Sequence, residues 1–373
     1  MKVTFPHMGY STIAFDMLLK DLGHETVIPP RPSKRTLDLG VQYSPEFACI
    51  PFKILTGTYL ETVEMGAEMA ITSGGVGPCR AGYYGVLHQR LMDDLGHNLK
   101  IVVLEPPLIY KLDFLKKMNM IKPRGMSWRT MWQVVKKSWA KLGAIDVVEK
   151  RSFEVRPFEI AKGDTTMVIE KAIRLLDAAQ TVPDIEEAKE EGLKLINAVP
   201  RDDKRNPLKI GVIGEIYVVL EPAVNFELMV TLGEMGVLAD RSIYLTQWTK
   251  DNALNEDGEE NAKQAAQPYL SELIGGHGIN SVGETVLYAR HGFDGVIQLA
   301  PFSCIPEIVA KGILPRVSQD CGISVLTIFI DEQTGKAGVQ TRLEAFIDLL
   351  VQRRDRRARE SGTLIQQKVV AAS

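Results

Sequence analysis

Only four cysteines occur in the 373 residues of the chain, too few for the dense disulfide scaffold of small secreted domains. A reducing, cytoplasmic setting is therefore expected, with free thiols serving structural, metal-binding or catalytic ends. Charge of one sign is also missing: the formal net charge is −3, which gives no electrostatic ground for a nucleic-acid partner. No apolar run approaches the roughly 18 residues of a membrane span. The opening Met1-Lys2-Val3-Thr4-Phe5 reads as a strand and not as the apolar core of a signal peptide. Neither secretion nor a membrane partner is expected. The loop Gly74-Gly75-Val76-Gly77 lacks the Gly-Lys-Ser/Thr ending of a phosphate-cradling loop, so ATP hydrolysis is not expected of this chain. The close Cys-x-x-Cys pairs that structural zinc sites favour are absent as well.

What is present is ordinary in bulk, 45% hydrophobic and 24% charged residues, with length enough for two or three domains. Short apolar strands alternate with helical patterns through residues 1–108: strand Val3–Phe5, helix Ile13–Leu22, strand Thr26–Ile28, helix Phe52–Met65, strand Glu68–Thr72, helix Ala81–Leu95 and strand Ile101–Leu104. That alternation predicts a parallel sheet in an α/β domain. Residues 109–206 read as mainly helical. Trp128, Trp132 and Trp139 fall there at the spacing of a buried helix face, followed by helices over Phe158–Leu176 and Ile185–Ile196. After the polar linker 202–207 a second α/β domain, 207–373, opens at Lys209–Gly214. It continues through a helix over 223–235, strands near 237–245, at Gly295–Leu299 and at Val325–Ile330, and a helix over Thr341–Arg353. The basic tail from Arg353 on is expected to fray.

Three of the cysteines lie in Gly/Pro loops at strand ends or helix starts: Cys49 before Ile50-Pro51-Phe52-Lys53, Cys79 in Gly77-Pro78-Cys79-Arg80-Ala81-Gly82-Tyr83, and Cys304 in Pro301-Phe302-Ser303-Cys304-Ile305-Pro306-Glu307. A thiolate at a helix N-terminus is stabilised and ready to bind metal. Cys79 and Cys304 each follow a strand of their own α/β unit, where ligands of open sheets bind. Two such units facing each other would bring the thiols into one interdomain cleft, and three converging thiolates suit an iron–sulfur cluster with one iron left open. The alternative is that each is a small buried residue, which is the reading for Cys321. His7, at the end of the first strand, is a candidate proton donor. So is His277, in what reads as a flexible loop, and Glu215, just past the first strand of the second unit, is placed near the cleft. Arg80 and Lys53 follow cysteines closely and could balance a negative cluster or a substrate phosphate; the competing reading is surface charge. His24, His88, His97 and His291 read as solvated.

At these motifs, and at Gly214-Glu215-Ile216-Tyr217, Gly276-His277-Gly278, Gly292-Phe293-Asp294-Gly295, and Asp331-Glu332-Gln333-Thr334-Gly335, the chain resembles the 2-hydroxyacyl-CoA dehydratase and benzoyl-CoA reductase family along nearly its whole length. The resemblance implies two Rossmann-like, flavodoxin-like domains with a 4Fe-4S cluster in the cleft between them, held by Cys49, Cys79 and Cys304. It also implies a partner, an ATP-hydrolysing activase dimer with its own 4Fe-4S cluster, that injects low-potential electrons. With those electrons family members, as oxidoreductases or lyases of anaerobic metabolism, reduce or dehydrate an acyl-CoA or other small molecule. A homodimer, or a heterodimer with a related subunit, fits the same resemblance. The double-cubane 8Fe cluster proteins are related, but their cluster would call for more cysteines per chain. A non-catalytic electron carrier or accessory subunit is the competing function.

Overall fold

The computed structural model describes residues 1–75, 78–105, 109–253 and 259–371, the side chains of 251–253 and 361–371 excepted. Val76 and Gly77 of the glycine loop lie outside the described residues.

In the first unit, strands β1 (Lys2–Thr4), β2 (Glu25–Thr26), β3 (Met69–Ser73) and β4 (Lys100–Leu104) form a parallel sheet in the order β2-β1-β3-β4. In the second, β5 (Leu208–Gly214), β6 (Val237–Arg241), β7 (Gly295–Pro301) and β8 (Ser324–Ile330) repeat that order as β6-β5-β7-β8, again all parallel. The chain is thus α/β with two Rossmann-like domains. The order is the flavodoxin-like one, whose switch points lie between β1 and β3 and between β5 and β7. Every residue of β7 is buried, as a central parallel strand covered on both faces must be.

Between the sheets run helices Lys111–Ile121, Trp128–Val155, Asp164–Ala178 and Val182–Asn197. The last begins at a reciprocal capping box in which Thr181 and Asp184 satisfy each other's backbone N–H groups. The helix Trp128–Val155 packs on helix Thr12–Asp21 of the first unit and on β6 of the second. One continuous apolar core consequently runs from Ala14 and Tyr59 through Ile145 and Val148 to Ile210 and Leu232. Each large aliphatic side chain in it contributes about 1.5–3 kcal/mol on burial, so the two sheets are held by a shared interior and not by a linker.

Three expectations need correction. Trp128 and Trp132 are not core: they are 49% and 55% exposed, because Met131 and Val134, on another face of the same turns, are the residues that pack inward. The segment expected as one helix from Phe158 is a short 3-10 turn, Arg156–Phe158, then a helix that starts only at Asp164, after Gly163 in the left-handed region. The basic tail continues a helix, Lys336–Ala371, its arginines anchored on the body: Arg353 donates to Ser324 Oγ at 2.6 Å, and Arg357 to the Gly322 carbonyl at 2.8 Å. Among the described residues no helix is long and apolar enough to cross a membrane.

Candidate functional site

Cys49 and Cys304 occupy equivalent places. Each is the N-cap residue of a helix, Ile50–Glu64 and Ile305–Cys321, and each is followed by Ile-Pro, the proline sitting in the first turn where its missing N–H costs nothing. Cys79 lies just ahead of helix Ala81–Asp94. The peptide N–H of Phe52, of Ala81 and of Glu307 favours the anionic form of the Cys49, Cys79 and Cys304 sulfur respectively. At Cys49 and Cys304 none of this amounts to a full capping hydrogen bond.

Arg80 joins the loops. Its guanidinium donates to the Phe47 carbonyl at 2.8 Å, to Ser303 Oγ at 3.0 Å and to the Ser303 carbonyl. Ser303 Oγ in turn donates to the Phe47 carbonyl at 3.0 Å. The residue after Cys79 therefore ties the segment before Cys49 to the residue before Cys304. Ser303 has a φ of 67°, a left-handed backbone that costs a non-glycine residue about 1–3 kcal/mol and persists where surroundings enforce it. A second loop closes on the same place: a Cβ at Gly276 (φ 49°) would stand 3.7 Å from Cys79 Sγ and 3.0 Å from the Pro306 ring. Only a glycine turn reaches both cysteine loops at once. Below the site Lys53 is 3% exposed and paired with Glu332 across the two units at 2.8 Å. It is neither surface charge nor a cation left for a cluster.

Burial pushes all three thiols above their usual range, and the charge of Glu215 pushes each further. One carboxyl acting on three sulfurs marks their common neighbourhood. Without metal the thiols are protonated; a bound cation would reverse this, since coordinating thiols lose their proton. Cys49 Sγ also meets Tyr84 Oη. Behind Tyr84 the His88 ring stacks on Phe52 with centroids 4.1 Å apart, and burial lowers its pKa to about 4. His88 is therefore a neutral core histidine, contrary to the solvated reading. Cys321 is the last residue of the helix that Cys304 caps, about 25 Å away at 1.5 Å per residue, with Tyr269 Oη at 3.8 Å.

Of the proposed acid–base residues, Glu215 stands at the N-cap of helix Ile216–Leu220, accepts the Val218 N–H at 3.0 Å, and is raised by burial to about 7. His7 is held by the buried Glu221, Nδ1 to Oε2 at 2.7 Å, which also accepts the Gly9 N–H. His277 is not in a flexible loop; it is the buried N-cap of helix Gly278–Arg290. Glu307 belongs with them though its position in the motif did not reveal it: fully buried, raised to about 7 by burial, and bonded by Gln298 Nε2 at 2.8 Å and Ser281 Oγ at 3.0 Å. Among the described residues no three His, Cys, Asp or Glu side chains draw close enough to share one metal ion.

The Glu215 value has a measurable consequence. Its folded pKa near 7 exceeds its ordinary 4.5, so the folded state holds the proton more tightly. That stabilisation is full below about pH 4.5 and is lost as pH rises through 7, up to about 3 kcal/mol. Above about pH 6.5, where the buried His88 no longer titrates, metal-free protein should lose stability toward pH 8 in denaturant titrations, and Glu215→Gln should reduce that slope, leaving the share of Glu307, which is also raised to about 7. An unchanged slope in the variant would assign it to other groups.

No family model matches the chain, and no curated protein matches it.

Proposed function

We propose that the chain is an iron–sulfur protein of the 2-hydroxyacyl-CoA dehydratase type, with Cys49, Cys79 and Cys304 as ligands of a 4Fe-4S cluster and one iron left to a small-molecule substrate. The observation that carries the reading is the Arg80 tie, which joins the three cysteine loops from both α/β units. The donor set supports a cluster over zinc. One zinc ion needs its ligands about 2.3 Å from a single centre, and no such group exists among the described residues, whereas a cluster takes each thiolate on a separate iron. When bound, such a cluster supplies low-potential electrons for reducing or dehydrating a small molecule, an acyl-CoA among the candidates.

The chain's own residues have distinct tasks in this reading. Arg80 and Gly276 hold the loops in register. Glu215, which titrates near neutrality, accepts or returns a proton at its carboxyl beside the sulfurs, the poise that general acid–base work favours. His7, oriented by Glu221 through Nδ1, presents its other ring nitrogen at the carboxyl end of β1. In this reading electrons come from a separate ATP-hydrolysing activase dimer, as the sequence itself has no Gly-Lys-Ser/Thr phosphate loop.

Anaerobically reconstituted protein should be brown, contain about four irons and matching sulfide per chain, and hydrolyse no ATP alone. Colourless protein with stoichiometric zinc would overturn the assignment. About eight irons would move it to the double-cubane branch.

A further inference from the structure

Residues 111–137 carry eight Lys and Arg against the single Asp113, a local charge of +7 in a chain whose net charge is −3. They form two consecutive helices, Lys111–Ile121 and the first turns of Trp128–Val155, joined by a short turn through Pro123 and Gly125. Two of the cations are neutralised within the fold: Lys117 pairs with Asp113 and Lys137 with Asp21, both at 2.5 Å. Lys111, Lys116, Arg124, Arg129 and Lys136 enter no ion pair among the described residues.

The same segment turns large apolar groups outward. Leu112 is 85% exposed, and with it Leu115, Met120, Trp128 and Trp132 face solvent. Its inward residues, Met118, Ile121 and Met131, already fill the core against β1 and β3, so the outer groups are surplus to folding. Exposed tryptophans carry cations of their own: Lys122 Nζ lies 5.9 Å from the Trp128 ring and Lys136 Nζ 5.7 Å from that of Trp132.

We propose that this basic two-helix segment seats the protein on an anionic lipid surface. Basic side chains interleaved with exposed Trp and Leu on helices too polar to span are the composition of an interfacial segment, the apolar groups entering the headgroup boundary while Lys and Arg meet lipid charge. The absence of a spanning run, on which the expectation of no membrane partner rested, does not bear on a helix that lies on a membrane. Long lysines and arginines carry apolar stems that let the charged head reach headgroups while the stem stays low.

The test is co-sedimentation of the full chain with vesicles of phosphatidylcholine containing about one-third phosphatidylglycerol, against phosphatidylcholine alone, at low and high salt. The wild type should partition to the anionic vesicles, with a blue-shifted tryptophan emission, and be released by salt. Reversing Lys116, Arg124 and Arg129 to glutamate should weaken partition at least about a hundredfold, since each basic group near such a surface is worth about fivefold. Trp128→Ser with Trp132→Ser should weaken it while leaving salt dependence in place. All of these residues are exposed, and far-ultraviolet circular dichroism checks that the variants fold. No partition of the wild type, or equal partition of the charge-reversed variant, would overturn the proposal. Retention by soluble polyglutamate without vesicle binding would assign the face to an acidic protein and overturn it equally. Neither arm depends on a bound metal.

Discussion

Cys304→Ser protein, reconstituted anaerobically beside the wild type, is expected to stay colourless and to hold less than about a tenth of the wild-type iron. Serine offers a hard oxygen with a far higher proton affinity where a soft thiolate is required, and two remaining cysteines leave a cluster under-ligated. Cys79→Ser should behave alike. Cys321→Ser is the informative control: that thiol sits about 25 Å along the helix from Cys304, beside Tyr269, and its loss should leave colour and iron unchanged. Serine is nearly isosteric with cysteine, so metal-free Cys304→Ser should melt close to metal-free wild type, which separates a lost ligand from a lost fold. A wild-type absorption spectrum in Cys304→Ser, or a bleached one in Cys321→Ser, would dismantle the ligand set.

The second large effect is on stability. Lys53 is almost wholly buried and its ammonium meets Glu332 at 2.8 Å, the two residues lying 279 positions apart. Removing one partner of such a pair strands a buried charge, at a cost of 3–5 kcal/mol in fully buried cases. Glu332 retains some solvent contact, so Glu332→Ala should cost about 2–3 kcal/mol in urea unfolding. Replacing both groups, Lys53→Met with Glu332→Gln, removes the stranded charge and should recover most of that loss. A double variant no more stable than Glu332→Ala alone would show that the pair's surroundings, and not its charge, hold the two units together.

Much of the architecture is legible in the amino-acid sequence. Apolar runs such as Gly295–Leu299 and Val325–Ile330 announce parallel strands because a strand covered on both faces has no polar side to display. The three cysteine loops were legible for a related reason, since glycine and proline mark where backbone must turn. What stayed hidden is long-range. Arg80 makes its bonds to carbonyls 33 and 223 positions away, and backbone acceptors leave no signature in sequence. His88 looks like any helix-surface histidine until Phe52, 36 positions earlier, is found stacked on it. The spacing of Trp128 and Trp132 correctly reports a common helix face, but periodicity cannot tell whether that face turns to the core. Glu332 lay inside a recognised motif, yet only the fold reveals that it answers a lysine from the other unit.

The Arg80 tie also orders events in time. Its partners Phe47 and Ser303 are separated by 256 positions. At a synthesis rate of about 5–20 residues per second, Cys304 leaves the ribosome some 10–45 s after Cys79. Through that interval the nascent chain offers two thiols without the third, and without the serine that holds their loops together. Closure of the loops thus waits for the second unit: a product ending in the helical segment would carry Cys49 and Cys79 but lack Ser303, whose carbonyl and hydroxyl the Arg80 guanidinium engages.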